Sequence, residues 1–157
     1  MKRLLLIPIA LTLSFCASSN DSPIPIQAPV GRGSITIDII PNPIVATRVN
    51  DETYDFPFEV VVRETGGRDV EIERVTADVR ALGAIPVADE SYDAAKIRSL
   101  GYATRIPANS EVRYRFTPRK EVPDDRLFGS VSAELRAIAH DDSGTPANAS
   151  VTVTIRR

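Results

Sequence analysis

From Ser34 onward, apolar residues recur at every second position. Ile35, Ile37 and Ile39 alternate with Thr36, Asp38 and Ile40, the pattern of a half-buried strand. Pro41-Asn42-Pro43 ends it, because proline has no N–H for a sheet ladder. Residues 44–49 fit a short edge strand. Phe56, Phe58, Val60 and Val62 share one parity, against Pro57, Glu59, Val61 and Arg63. Thr65-Gly66-Gly67 predicts a tight turn and residues 70–82 a returning strand, together a hairpin. The phase slips inside that return. Val70 and Ile72 lie on one parity, and Val75, Ala77, Val79 and Ala81 on the other. One extra residue at Glu73 or Arg74 reconciles them, so a bulge or strand break is expected there.

The two-residue period lapses over residues 84–105. Asp89 or Ser91 can cap a helix running through Ala94-Ala95-Lys96-Ile97-Arg98-Ser99-Leu100, with Gly101 as its stop. A helix of two to three turns is marginal alone, so it must lean on a sheet through Ala94, Ile97 and Leu100. Alternation resumes at Val112, Tyr114 and Phe116. Residues 118–125 read as a charged loop. Val131, Ala133, Leu135, Ala137 and Ala139 form one face of a long strand, residues 141–146 turn the chain, and Ala149, Val151, Val153 and Ile155 close it. About seven short strands and one short helix predict an all-β fold, an antiparallel β-sandwich. The final hairpin, SVSAELRAIAHDDSGTPANASVTVTI with its D-D-x-G turn, and the IPANSEVRYRFTP stretch before it resemble a bacterial immunoglobulin-like domain. The resemblance covers residues 34–157. It implies an immunoglobulin-like sandwich that binds, spaces or adheres and is rarely a catalyst. With one Cys and no Trp, the chain lacks the core cysteines and tryptophan of antibody-type domains.

The opening MKRLLLIPIALTLSFCAS has a different logic. Lys2 and Arg3 precede an apolar run over residues 4–15, which ends at the sole cysteine. A basic start, an apolar stretch and small residues make a secretory signal, and the run is shorter than the roughly 20 apolar residues of a membrane span. Leu13, Ser14 and Cys16 match the bacterial lipobox, in which the Cys receives a lipid. Phe15 stands where that motif has a small residue. Cleavage after Ser18 or Ser19 is the alternative and gives plain secretion. Residues 1–18 are therefore expected to be a signal peptide, residues 19–33 a Pro-, Ser- and Gly-rich tether, and residues 34–157 the sandwich. Cys16 is the candidate lipid-attachment residue, placing the protein in the cell envelope, extracytoplasmic and membrane-anchored or secreted. A lone Cys forms no internal disulfide, so the fold rests on packing.

Without Lys2 and Arg3 the chain has 17 basic and 21 acidic residues, a net charge of −4. No basic patch interleaved with aromatics appears, which argues against nucleic acid as a partner. No catalytic residues, no cofactor and no metal site are expected. His140 is the single histidine and reads as solvated beside Asp141 and Asp142, and no strained G-x-S-x-G turn exists. The acidic groups Asp141 with Asp142, Asp124 with Asp125, and Asp89 with Glu90 and Asp93 lack calcium-loop spacing. Tyr92, Arg98, Tyr102 and Arg105 fall together in the irregular segment. Tyr and Arg concentrate at binding hot spots, making these four the candidate partner-binding residues; the alternative is that the tyrosines cover an open edge of the sandwich. The sequence thus points to a non-enzymatic module that binds or positions an envelope protein. Two alternatives stand beside it: a structural spacer or assembly subunit, and a protease-inhibitor-like sandwich using residues 118–125.

Overall fold

The computed structural model describes residues 31–83 and 85–157. Cys16, the signal and residues 19–30 of the tether lie outside the described residues. Strands β1 (Ile35–Ile40), β2 (Ile44–Val45), β3 (Thr47–Arg48), β4 (Thr53–Asp55), β5 (Phe58–Glu64), β6 (Val70–Ala81) and β7 (Ile85–Asp93) precede helix α1 (Ala94–Ser99). Then come β8 (Arg105–Ile106), β9 (Glu111–Phe116), β10 (Arg119–Glu121), a 3-10 turn at Asp125–Gly129, β11 (Val131–Asp141) and β12 (Ala149–Arg156). One layer is a three-stranded sheet in the order β1-β5-β9. The other is a six-stranded sheet ordered β2-β12-β11-β6-β7, with β8 also paired to β6. A small sheet, β10-β4-β3, closes one side. Over the described residues the fold is an all-β sandwich with one short helix, as the alternation predicted.

The two layers share a single core. Ile35, Ile37 and Ile39 of β1, Val60 and Val62 of β5 and Tyr114 of β9 meet Ile72 and Val75 of β6, Leu135 of β11 and Val153 of β12. These are the parities read from the sequence. The predicted bulge is also present. Ile138 pairs with Arg74 and Ala139 with Ile72, so Glu73 is the extra residue that moves the buried set from even to odd numbers.

Val61 departs from its expected outward role, being fully buried. It sits in register between Asp38 and Arg113, on a face crossed by an ion ladder. Arg63 meets Asp38 and, at 2.7 Å, Glu111. Arg113 meets Glu111 at 2.7 Å and Glu59 at 2.9 Å, and Arg115 meets Glu59 at 3.0 Å. The aliphatic stems of these long side chains cover the valine while their heads stay wet.

The expected hairpin around Thr65-Gly66-Gly67 is a crossover. β5 pairs with β1 and β9, whereas β6 pairs with β7, β8 and β11. The crossing is organised by Glu64, which is only 3% exposed. Its carboxylate accepts backbone N–H groups from Ser34 (3.2 Å), Gly66 (2.6 Å), Gly67 (3.0 Å) and Asn109 (2.8 Å). Burial by itself would raise its pKa, but the four donors outweigh burial and hold it below the ordinary value.

Residues 85–93, expected to be irregular, form a strand, β7, and the helix is capped later than foreseen. Asp93, not Asp89 or Ser91, accepts from Lys96 N–H at 2.8 Å. Gly101 stops the helix at φ +84°. Ile97 is its buried anchor, whereas Leu100 is 51% exposed. Residues 44–49 split into β2, which runs parallel to β12, and β3, antiparallel to β4. Part of the expected charged loop at 118–125 is β10, pinned to β4 by the bidentate Arg119–Asp55 pair at 2.7 and 2.9 Å.

Candidate binding site

The sandwich is open along one side. Among the described residues, β7 ends the six-stranded sheet and pairs only with β6, while β9 ends the facing sheet and leads into β10. Between them lies an apolar cleft of about 220 Å³. Its existence follows from residue size. Ala77 of β6, Ala88 of β7 and Ala133 of β11 line it, so small side chains stand on neighbouring strands where larger ones would fill the space. Phe56, Phe58, Phe116 and Phe128 supply aromatic walls.

The mouth is built by the inward parity of β7, Ala88, Glu90 and Tyr92, opposite β10. Lys120 Nζ meets Glu90 Oε1 at 2.6 Å and joins the two sides. The Glu90 hydrogen bond raises the Lys120 pKa, with the Coulombic attraction of the same carboxylate adding to it, so Lys120 stays charged at neutral pH. Tyr92 packs 5.0 Å from Phe116, and Lys96 Nζ lies 4.2 Å from the Tyr92 ring centre. Glu121 also lines the cleft. The lining thus carries two carboxylates and one cation.

Of the four residues singled out in the sequence, Tyr92 lines this cleft. The others go elsewhere. The Tyr102 hydroxyl donates to the Arg115 carbonyl at 3.1 Å and accepts from the Arg115 N–H at 3.2 Å, with its ring edge-on to Tyr114 at 5.5 Å. It clamps the free side of β9. Arg98 reaches Thr104 at 3.2 Å and Glu71 at 3.5 Å, and Arg105 Nε reaches Asp69 at 3.1 Å. Tyr102→Phe removes both clamp bonds and should cost about 1 kcal/mol, read as a lower urea midpoint with an unchanged slope. Glu90, Lys120 and Ala88 were not among the candidate partner-binding residues, although the period-2 set Ala88, Glu90, Tyr92 was there to be read.

The acidic groups weighed for calcium, the exposed Asp89 apart, have protein partners among the described residues. Asp141, 1% exposed, accepts the Ser143 hydroxyl (2.6 Å) and the N–H groups of Gly33 (3.0 Å), Ser143 (2.9 Å) and Thr145 (2.9 Å). The Ser143 hydroxyl leads in holding its pKa far below the usual carboxylate range, against burial and with help from those N–H groups. Asp142 meets Arg68, Asp124 caps the 3-10 turn, and Asp125 accepts the buried Tyr54 hydroxyl at 2.5 Å. His140 Nδ1 lies 2.8 Å from Glu73, the bulge residue. Among the described residues, no three His, Cys, Asp or Glu side chains converge as metal ligands, and no helix is long and apolar enough to cross a membrane.

No family model and no curated protein matches the chain. Solved structures do. The ApaA protein of Bordetella pertussis is 11% identical, over 82% of this chain and 99% of its own, with a TM-score of 0.52. The structural-genomics target SoR45 is 14% identical over 80% and 86%, with a TM-score of 0.46. The CARDB domain of PF1109 from Pyrococcus furiosus, solved in solution, is 14% identical over 82% and 98%, with a TM-score of 0.35. At these identities the ApaA likeness is one of fold.

Proposed function

We propose that this chain is an exported, non-enzymatic β-sandwich, anchored in the envelope by a lipid on Cys16, that binds or positions another extracytoplasmic protein. The observation that carries the binding half is the open apolar cleft, because apolar concavities with a few placed polar groups are where proteins take ligands and anchor side chains. Its mouth sits on strands rather than mobile loops, which gives a rigid surface for docking. The export half rests on the basic, apolar and small-residue order of residues 1–18 and on the position of Cys16. A net charge of −4 after removal of the basic start leaves little electrostatic hold on anionic lipid, so the lipid is the anchor.

Fractionation tests this reading. The native chain should sediment with membranes and enter the detergent phase, and Cys16→Ser should move most of it to the soluble extracytoplasmic fraction. Equal membrane retention of Cys16→Ser, or a mature N-terminus beyond Cys16, would refute the anchor.

A further inference from the structure

We propose that the partner of this module docks by strand addition. An extended segment, with apolar side chains alternating with basic ones, pairs with the free edge of β7 and lowers its apolar side chains into the cleft. This rests on the reading of the protein as a binding module and specifies how it binds.

Three observations converge on β7. First, its nine residues form an edge strand that, among the described residues, is paired on one side only. Such an edge presents a row of unused N–H and C=O groups, which folded proteins normally shield when it is long. Val79 pairs with Ala88 and Arg80 with Pro86, so Val87 is bulged out. Regular pairing capacity therefore belongs to residues 88–93.

Second, the inward side chains of that stretch, Ala88, Glu90 and Tyr92, already line the cleft. A strand laid beside β7 continues the pleat, so every second side chain falls over the same opening. A dry cavity of about 150 Å³ holds benzene, and by proportion about 220 Å³ takes one or two aliphatic side chains. Main-chain bonds then supply affinity and the cleft supplies specificity, as in other strand-addition complexes.

Third, the charge selects the partner. Residues 85–93 contain Asp89, Glu90 and Asp93 and no Lys or Arg. Glu90 is neutralised by Lys120, whereas Asp89 projects from the exposed parity. A second copy pairing through β7 would bring carboxylates together across the new ladder, which is destabilising. An incoming strand with Lys or Arg beside its apolar positions is favoured for the same reason.

The test uses two synthetic nine-residue peptides, one alternating Val with Lys and one alternating Val with Glu, and amide hydrogen exchange of the folded protein. The Val-Lys peptide should slow exchange of amides within residues 88–93 by at least tenfold at saturation. The Val-Glu peptide should bind at least tenfold more weakly. Ala88→Leu fills the cleft from β7 and should weaken the Val-Lys peptide at least tenfold. Glu90→Lys, which leaves the core volume intact, should do the same if the leucine proves too large. Unchanged β7 exchange, or equal binding of the two peptides, overturns strand addition. So does concentration-dependent protection of β7 without peptide, which means a second copy. Displacement by decylamine with no slowing of β7 amides also overturns it, the cleft then being a small-molecule site. Failure of export leaves these peptide results standing, and failure of the peptides leaves the fractionation result standing, so the two readings fall separately.

Discussion

Glu64→Ala should destabilise the protein by about 3–5 kcal/mol, a tier reserved for the loss of buried charged hydrogen-bond networks. Glu64 is 3% exposed and accepts four backbone N–H groups from three stretches of chain: the lead into β1, the β5–β6 crossover, and the connection from β8 to β9. Alanine strands all four donors at the place where the chain passes between sheets. Its folded pKa is held low, so this stabilisation is complete above the ordinary glutamate value near pH 4 and is lost as pH falls through the folded value. Urea melts should therefore show the wild type losing stability below about pH 4 more steeply than Glu64→Gln. A loss under about 1 kcal/mol for Glu64→Ala would mean that the crossover stands without the carboxylate.

Leu135→Ala should cost about 2–5 kcal/mol. Leu135 is 1% exposed and stands in register with Val151 and Ala77 at the centre of the six-stranded sheet. It also lines the cleft, so truncation enlarges an existing void and gives the surroundings little reason to collapse inward. The adjacent Glu134→Ala removes a surface pair with Arg136, 2.8 Å long, and should leave the melting temperature near that of the wild type. Equal melting temperatures for the two variants would contradict the inward parity of β11.

Much of this was legible in the chain because burial on one face writes a period of two. β1, β9, β11 and β12 follow their expected parities, and the bulge at Glu73 was visible as a phase slip. What escaped detection escaped for physical reasons. Thr65-Gly66-Gly67 looks the same locally whether the chain returns to its own sheet or crosses to the other, and the N–H groups that Glu64 gathers at the crossing come partly from distant stretches of chain. β7 carries Pro86, Asp89, Glu90, Ser91 and Asp93, a cap-like composition that an edge strand tolerates because one of its sides faces water. Val61 is buried by the stems of charged neighbours that belong to other strands. The site was half visible. Tyr92 drew notice as an aromatic, but the cleft depends on alanines from three neighbouring strands, and no local pattern announces that their short side chains stand together on one face.

The most direct test of the cleft as the docking surface is site-specific photocrosslinking of the exported protein in intact cells. A photoreactive residue at Val87, 55% exposed and lining the cleft, is compared with one at Ser150, exposed on β12. A discrete adduct from position 87, missing from position 150 and abolished by Ala88→Leu, is the predicted result. Identical adducts from both positions, or an adduct from position 150 alone, would contradict the account.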